Sequence, residues 1–220
     1  DRAAELGAEL GGVEVMRRTE KNGLGAAYRA GLRHAINSGA EICVQMDADL
    51  SHDPEVLPAL IAIAEYGADL CIGSRYVPGG RTVNWPRRRR MLSRWGNRYA
   101  AGVLGLAVND ATAGYRAYRS SALEHMQFEK VKAEGYGFQI EMTYAARRAG
   151  VPIVEVPISF VDRVEGIRHR VGVRSWLWVD DGTASCPDWA TPYEEAAGTT
   201  GQPGPDGSHR RVQAPWPRTP

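Results

Sequence analysis

Glu41-Ile42-Cys43-Val44-Gln45-Met46-Asp47-Ala48-Asp49-Leu50-Ser51-His52-Asp53-Pro54 runs from an apolar strand directly into three carboxylates spaced over seven residues. Two acids separated by one residue at a strand end can address one ion, and a divalent cation relieves the repulsion between them. The same letters also describe an acidic turn followed by a helix cap, with Asp53 at the cap and Pro54 in the first turn. Working outward, the periodicity predicts a strand over Val13–Arg17, a helix over Leu24–Asn37, a strand over Glu41–Met46, a helix over Glu55–Tyr66 and a strand over Asp69–Ser74. This β/α alternation implies an α/β fold with a mainly parallel sheet and helices on both faces. In such sheets ligands gather beyond the carboxyl ends of the strands, where the Asp-Ala-Asp cluster falls.

Downstream, Val77–Asn84 reads as a Gly/Pro loop, Arg89–Leu106 as an amphipathic helix, Arg116–Tyr118 as a short strand and Tyr136–Arg148 as a helix. A strand over Val151–Val161 follows, and Pro157 within it favours a sheet edge. From residue 167 on, the last 54 residues hold seven of thirteen prolines and four of six tryptophans without sustained periodicity, so a disordered tail is expected over 167–220. Residues 1–166 would form the catalytic domain. The chain opens without Met inside a helical pattern over Asp1–Leu10, and the expectation is a domain truncated at its N-terminus.

With 220 residues and 43% apolar content the chain can bury a substantial core. A formal charge of +1 gives no reason to expect a nucleic-acid partner. Lys occurs only at 21, 130 and 132, so Arg dominates the basic residues, four of them in the run Arg87–Arg90. Cysteines at 43, 71 and 186 form neither an even disulfide framework nor a CxxC pair, which fits a reducing cytoplasm. No apolar run reaches the ~18–20 residues that cross a bilayer.

Two chemistries compete for the acidic cluster, and a third reading concerns the Asn22–Tyr28 segment. Asp47-Ala48-Asp49-Leu50-Ser51 formally fits the DxDx(T/S) pattern of aspartyl phosphatases, with Asp180-Asp181 as a later acidic pair. Asn22-Gly23-Leu24-Gly25 opens a helix, but Tyr28 stands where a dinucleotide fingerprint needs its third glycine. The second chemistry for the cluster is transfer from a nucleotide sugar, in which two acids hold a metal against the donor diphosphate.

Five linked blocks favour sugar transfer. Met46–Pro54, Gly73-Ser74-Arg75-Tyr76, Asp110-Ala111-Thr112-Ala113-Gly114-Tyr115-Arg116, Gly135-Tyr136-Gly137-Phe138-Gln139-Ile140-Glu141-Met142, and Glu155-Val156-Pro157-Ile158 with Asp162-Arg163 closely resemble the polyprenol-phosphate (dolichol-phosphate) mannose synthases of glycosyltransferase family 2. The resemblance implies a GT-A (Rossmann-like) fold lacking its leading strands, and inverting transfer of mannose from GDP-mannose to a polyprenyl phosphate at the cytoplasmic face of a membrane. It makes Asp47 and Asp49 the acids for Mg²⁺ or Mn²⁺ and diphosphate, framed by Gln45 and Ser51. Arg75, Arg89 and Arg163 become phosphate-handling arginines. Lys21, Gly23 and Gly25 match the segment that opens a helix near the nucleotide, and Asp110, Gln139 and Glu141 are candidates for sugar hydroxyls or proton removal. A related glucosyltransferase, or an inactive module that binds lipid phosphate, shares most of these features.

Plainer roles stand beside these. Arg87–Arg90 reads as a solvated run or, with Trp85, Trp95 and Tyr99, as a surface for peripheral membrane contact. Gln139 and Glu141 suit the polar face of a helix, His52 suits a turn, and Phe138 suits helix packing.

Overall fold

A computed structural model of the chain describes residues 5, 9, 13–18, 22–47, 49–162 and the backbone of 176–179. The elements are α1 (Gly23–Asn37), β1 (Ile42–Gln45), a 3₁₀ turn (Pro54–Val56), α2 (Leu57–Tyr66), β2 (Leu70–Ser74), β3 (Arg81–Val83), α3 (Arg87–Leu104), β4 (Arg116–Arg119), α4 (Ser120–His125), a second 3₁₀ turn (Phe128–Lys130), α5 (Tyr136–Arg148), β5 (Ile153–Pro157), β6 (Ser159–Val161) and β7 (Trp176–Val179). The main sheet has the order β5-β2-β4-β1-β7, and β3 pairs with β6 in a small second sheet.

The α/β class holds, but the sheet is mixed. In the main sheet only β2 and β5 pair in parallel, while β4 lies antiparallel between β1 and β2, and β7 pairs antiparallel with β1. Strands β1, β2 and β5 therefore run one way, as alternation predicts; the short strand expected at Arg116–Tyr118 forms as β4, and its reversed direction is what periodicity does not foretell. Its direction matters. Arg116, the first residue of β4, is in register with Gln45 at the end of β1 and with Ile72 near the end of β2. The loop that enters β4, residues 110–115, thus lands at the same edge as the carboxyl ends of β1 and β2.

Each strand of the sheet centre is buried on both faces, as the continuous apolar runs Ile42–Val44 and Leu70–Ile72 require. On one face Cys43, Leu70 and Ile72 meet Leu32 of α1 and Phe138 and Met142 of α5. On the other, Ile42, Val44, Cys71 and Ala117 meet Leu60 and Ala64 of α2. Asp53 caps the 3₁₀ turn through Glu55 N–H at 3.0 Å, with Pro54 behind it, so the turn-and-cap reading of this stretch is realised. Helix α3 ends where Gly105 takes φ +62°, a left-handed C-cap that glycine adopts without strain.

Three expectations change. Val13–Arg17 forms no strand: Val13, Val15 and Met16 are exposed. The long strand over 151–161 is two strands, one in each sheet, and Pro157 indeed sits on the edge strand β5. Trp176–Val179, inside the expected disordered tail, forms β7 against β1. The rest of 163–220, with Arg163 and Asp180-Asp181, lies outside the described residues, as do Lys21 and, apart from Glu5 and Glu9, the expected helix at Asp1–Leu10. Every described residue belongs to one unit, residues 1–183. No helix among the described residues is long and apolar enough to cross a membrane.

Candidate active site

β1 delivers Asp47 two residues past its end. The Asp47 carboxylate accepts a hydrogen bond from the Tyr28 hydroxyl at 3.1 Å, and its backbone N–H donates to His52 Nδ1 at 3.2 Å. Tyr28 is buried in α1 and stacks on Phe138 of α5, with ring centroids 5.4 Å apart. One carboxylate oxygen of Asp47 is therefore oriented by a rigid, packed phenol. The other faces Gly114, where a Cβ would come within 3.6 Å of it. Asp49 is half-buried and accepts from both the backbone N–H and the hydroxyl of Ser51, the hydroxyl contact being the shorter. Between them Leu50 is 90% exposed with φ +62°. That is uncommon for a branched side chain and marks a tightly turned loop.

His52 is no surface turn residue. It is buried against Tyr115 and Phe160, at 5.0 and 5.4 Å between centroids. Burial pushes its imidazole below the ordinary histidine range, against the opposing pull of Asp47 and Asp49. A neutral ring fits its Nδ1 accepting from the Asp47 N–H. Phe160 is also edge-on to Trp85 at 5.6 Å and lies 5.5 Å from the Arg75 guanidinium. Arg89 in turn sits 4.0 Å over the Trp85 ring and pairs with Asp162 at 2.6 Å. An aromatic spine of His52, Phe160 and Trp85 thus brings the acidic loop, Arg75 and Arg89 into one neighbourhood.

Arg75 and Asp110 differ from their expected roles as ligands. Asp110 is fully buried, and its carboxylate accepts from Arg75 Nε at 2.7 Å, from an Arg75 terminal nitrogen at 2.7 Å, from the Arg75 backbone N–H at 3.0 Å and from Thr112 Oγ1 at 3.2 Å. Burial opposes the Arg75 charge, but the hydrogen bonds and charge of Asp110 outweigh it and the guanidinium pKa rises. Asp110 is consumed in fixing Arg75 and is placed neither as a base nor as a sugar-hydroxyl ligand. Asn97 of α3 exchanges hydrogen bonds with Thr112, and Glu155 of β5 accepts from the N–H groups of Asn109 and Asp110, so the loop is tied to both neighbours.

The remaining candidates scatter. Gln45 is completely buried, and by strand alternation it shares the face of Cys43; neither end of its amide has a partner among the described residues. It is the last residue of β1, two residues before Asp47. Gln139 is buried on α5 with its amide oxygen likewise unpartnered. Glu141 accepts from the backbone N–H groups of Lys132 and Ala133 at 3.0 and 2.7 Å and walls a surface recess of about 380 Å³ with Lys130, Tyr144 and Arg148. Neither aspartate borders that recess, so Glu141 organises a loop and is no proton acceptor in the acidic cluster.

Gly23 and Gly25 have a local explanation. Glu134 caps α1 by accepting from Gly25 N–H at 2.7 Å and Ala26 N–H at 3.2 Å. A Cβ on Gly23 would lie 2.2 Å from the Glu134 carboxylate, and one on Gly25 would lie 2.5 Å from the Ala133 carbonyl. These glycines make room for the 133–134 loop.

Among the described residues no three His, Cys, Asp or Glu side chains converge as a complete metal cage. Two hard carboxylates at a strand end do fit a cation that takes its other ligands from phosphate oxygens and water, which is how Mg²⁺ is commonly held. Tyr28, His52, Phe160 and Trp85 are the site residues that sequence reading missed. Tyr28 was visible only as the residue filling a glycine's place, and His52 only as part of a turn.

Comparison with known proteins identifies what the chain is similar to. A family model described as "Glycosyl transferase family 2" matches residues 1–127. The chain is 50% identical over 166 residues to an "Undecaprenyl-phosphate mannosyltransferase" of Micrococcus luteus, covering 76% of this chain and 68% of the relative. It is 49% identical over 160 residues to a "Polyprenol monophosphomannose synthase" of Mycolicibacterium smegmatis, covering 73% and 60%.

Proposed function

The chain belongs to glycosyltransferase family 2, and from that premise we propose that it transfers mannose from GDP-mannose to a polyprenyl phosphate at the surface of a membrane. The observation that carries this reading is the shared neighbourhood of the Asp47–Asp49 loop with Arg75 and Arg89 along the His52-Phe160-Trp85 spine. The names of the two relatives support the acceptor class and the sugar.

In this reading an oxygen of the lipid phosphate attacks the anomeric carbon from the face opposite the nucleotide. The new C–O bond forms as the bond to the donor diphosphate breaks, inverting the configuration and releasing GDP. The acceptor oxygen is already anionic near neutral pH, so no strong general base is needed; the difficulty is holding two anions together. Arg89 on its exposed helix start, with Arg163, handles the acceptor phosphate, since a guanidinium offers paired, directional donors. Arg75 contributes a fixed positive charge, oriented by Asp110. Asp47 and Asp49 hold a divalent cation, Mg²⁺ or Mn²⁺, which supplies charge neutralisation at the leaving diphosphate. Tyr28 keeps Asp47 in a single orientation.

The test is incubation of the chain with radiolabelled GDP-mannose, Mn²⁺ and a short-chain polyprenyl phosphate in detergent. The expected result is label in the lipid extract, abolished by Asp47→Asn. Label arriving only from UDP-glucose would make it a glucosyltransferase. Lipid binding without transfer from either donor would overturn the catalytic reading.

A further inference from the structure

Arg116 opens β4 and is completely buried, yet no carboxylate pairs with it among the described residues. Its guanidinium donates through Nε to the Ala113 carbonyl at 2.8 Å and through one terminal nitrogen to the Ala111 carbonyl, also at 2.8 Å. The other terminal nitrogen donates to Thr143 Oγ1 of α5 at 3.0 Å and to the Tyr118 hydroxyl at 3.4 Å. Gln45, directly opposite across the β1–β4 ladder, adds only a neutral amide. Arg75 makes the contrast, because Asp110 supplies its counter-charge. Taking a guanidinium out of water is costly when no ion pair offsets it. The reason for the cation at 116 therefore lies in what its donors hold.

They hold the backbone of the 110–115 loop. The two carbonyls are two residues apart and one planar fork spans both, a geometry that the single ammonium of lysine does not reproduce. In a trans peptide the C=O and the following N–H point in opposite directions. Drawing the Ala111 carbonyl towards Arg116 turns the Thr112 N–H away, and that N–H donates to the Asn97 side chain at 3.2 Å. Drawing in the Ala113 carbonyl turns the Gly114 N–H away from the guanidinium in the same manner. Gly114 stands against the acidic loop, where a Cβ built on it would find Asp47 Oδ2 at 3.6 Å and His52 Cε1 at 3.9 Å. Arg116 thus reaches Asp47 through one peptide, without bonding to it.

We propose that Arg116 is a positioning residue for the cation site: by clamping the Ala111 and Ala113 carbonyls it seats Gly114 beside Asp47 and keeps the carboxylate oxygen on that side open to a metal ion. The idea rests on the function proposed above, in which Asp47 and Asp49 hold a divalent cation at the donor diphosphate. Tyr28 orients one oxygen of Asp47, and the clamped loop borders the other. The carboxylate is thereby set from two sides, by α1 and by the entry to β4.

The experiment compares the wild type with R116M, R116K and G114A at a temperature where circular dichroism shows full folding. One readout is Mn²⁺ affinity with GDP present, by electron paramagnetic resonance. The other is the His52 Cε1–H signal of the metal-free protein in a proton–carbon correlation spectrum, assigned through H52Q. R116M keeps the bulk and loses the donors, whereas R116K keeps the charge and loses the fork. Both should weaken Mn²⁺ roughly tenfold or more and shift the His52 signal, whatever their loss in urea midpoint. Gly114 lies outside the left-handed region, so G114A should fold as the wild type does and still weaken Mn²⁺ through its methyl beside Asp47. Wild-type affinity in a folded R116M, with lower stability alone, makes Arg116 a structural residue and overturns the proposal. Full affinity in R116K overturns it as well, since charge without the clamp would then suffice. If neither arginine variant folds, G114A decides, and unchanged affinity there counts against the proposal. If the wild type itself binds no Mn²⁺ with GDP, the proposed cation site has failed, and the His52 signal alone decides whether Arg116 seats the loop.

Discussion

Asp110 and Asp49 stand at the same edge of one sheet, and their circumstances are opposite. Asp110 is fully buried, and its carboxylate is gripped by Arg75 and Thr112. Asp49 is half-buried and bonded to Ser51, two residues away, beside the exposed Leu50. The Asp110 carboxylate is held by donors from a segment 35 residues away, whereas the bonds described for Asp49 come from Ser51 in its own loop. Two acids that look alike as letters thus sit in different surroundings, and the function proposed above gives chemistry to Asp49 and architecture to Asp110.

The largest effect should come from Asp110→Ala. It leaves the Arg75 guanidinium buried without its counter-charge and should cost about 3–5 kcal/mol in urea unfolding. A loss below about 1 kcal/mol would mean the pair is not the anchor described here. Next is Gly25→Ala, whose methyl would meet the Ala133 carbonyl at 2.5 Å and Phe138 at 2.9 Å. Thermal unfolding should register a loss of about 1–3 kcal/mol, and a stabilised variant would show that the 133–134 loop yields freely.

Tyr28→Phe sharpens the contrast, because it keeps the stack on Phe138 and deletes only the hydroxyl that orients Asp47. Stability should fall by about 1 kcal/mol. Mn²⁺ affinity, read by electron paramagnetic resonance with GDP present, should fall roughly tenfold. Unaltered affinity would remove Tyr28 from the site. Smallest in stability is Asp49→Ala, at less than about 1 kcal/mol, since its described bonds are local. Mannosyl transfer should nevertheless vanish. Should Asp49→Ala unfold the protein as Asp110→Ala does, the distinction between the two acids disappears.

Much of this edge was legible from local patterns. Periodicity predicted α1, β1, α2 and β2, since burial on a two-residue or 3.6-residue period leaves a direct trace. The five motif blocks pointed to the family that the comparisons then established. Other features left no such trace. The strand at Arg116–Tyr118 was expected, but that it runs antiparallel between β1 and β2 is set by its partners and not by its own residues. Gly23 and Gly25 match, by resemblance, a segment that opens a helix near the nucleotide; the structure sets them against Glu134, more than a hundred residues away in sequence. Glu141 and Asp110 carry a catalytic residue type, but what they bond to depends on loops brought in from elsewhere.

By itself the sequence determined the α/β class, the strand that ends in Asp47 and Asp49, the sharp turn at Asp53-Pro54 and the arginine-rich helix, because each is written in neighbouring residues through periodicity, capping and charge. Only the tertiary structure decided that Asp110 grips the Arg75 guanidinium, and that Tyr28 and His52 lie against Asp47. Those outcomes depend on contacts between distant segments, set by the reversed strand β4 as it carries residues 110–115 to the ends of β1 and β2.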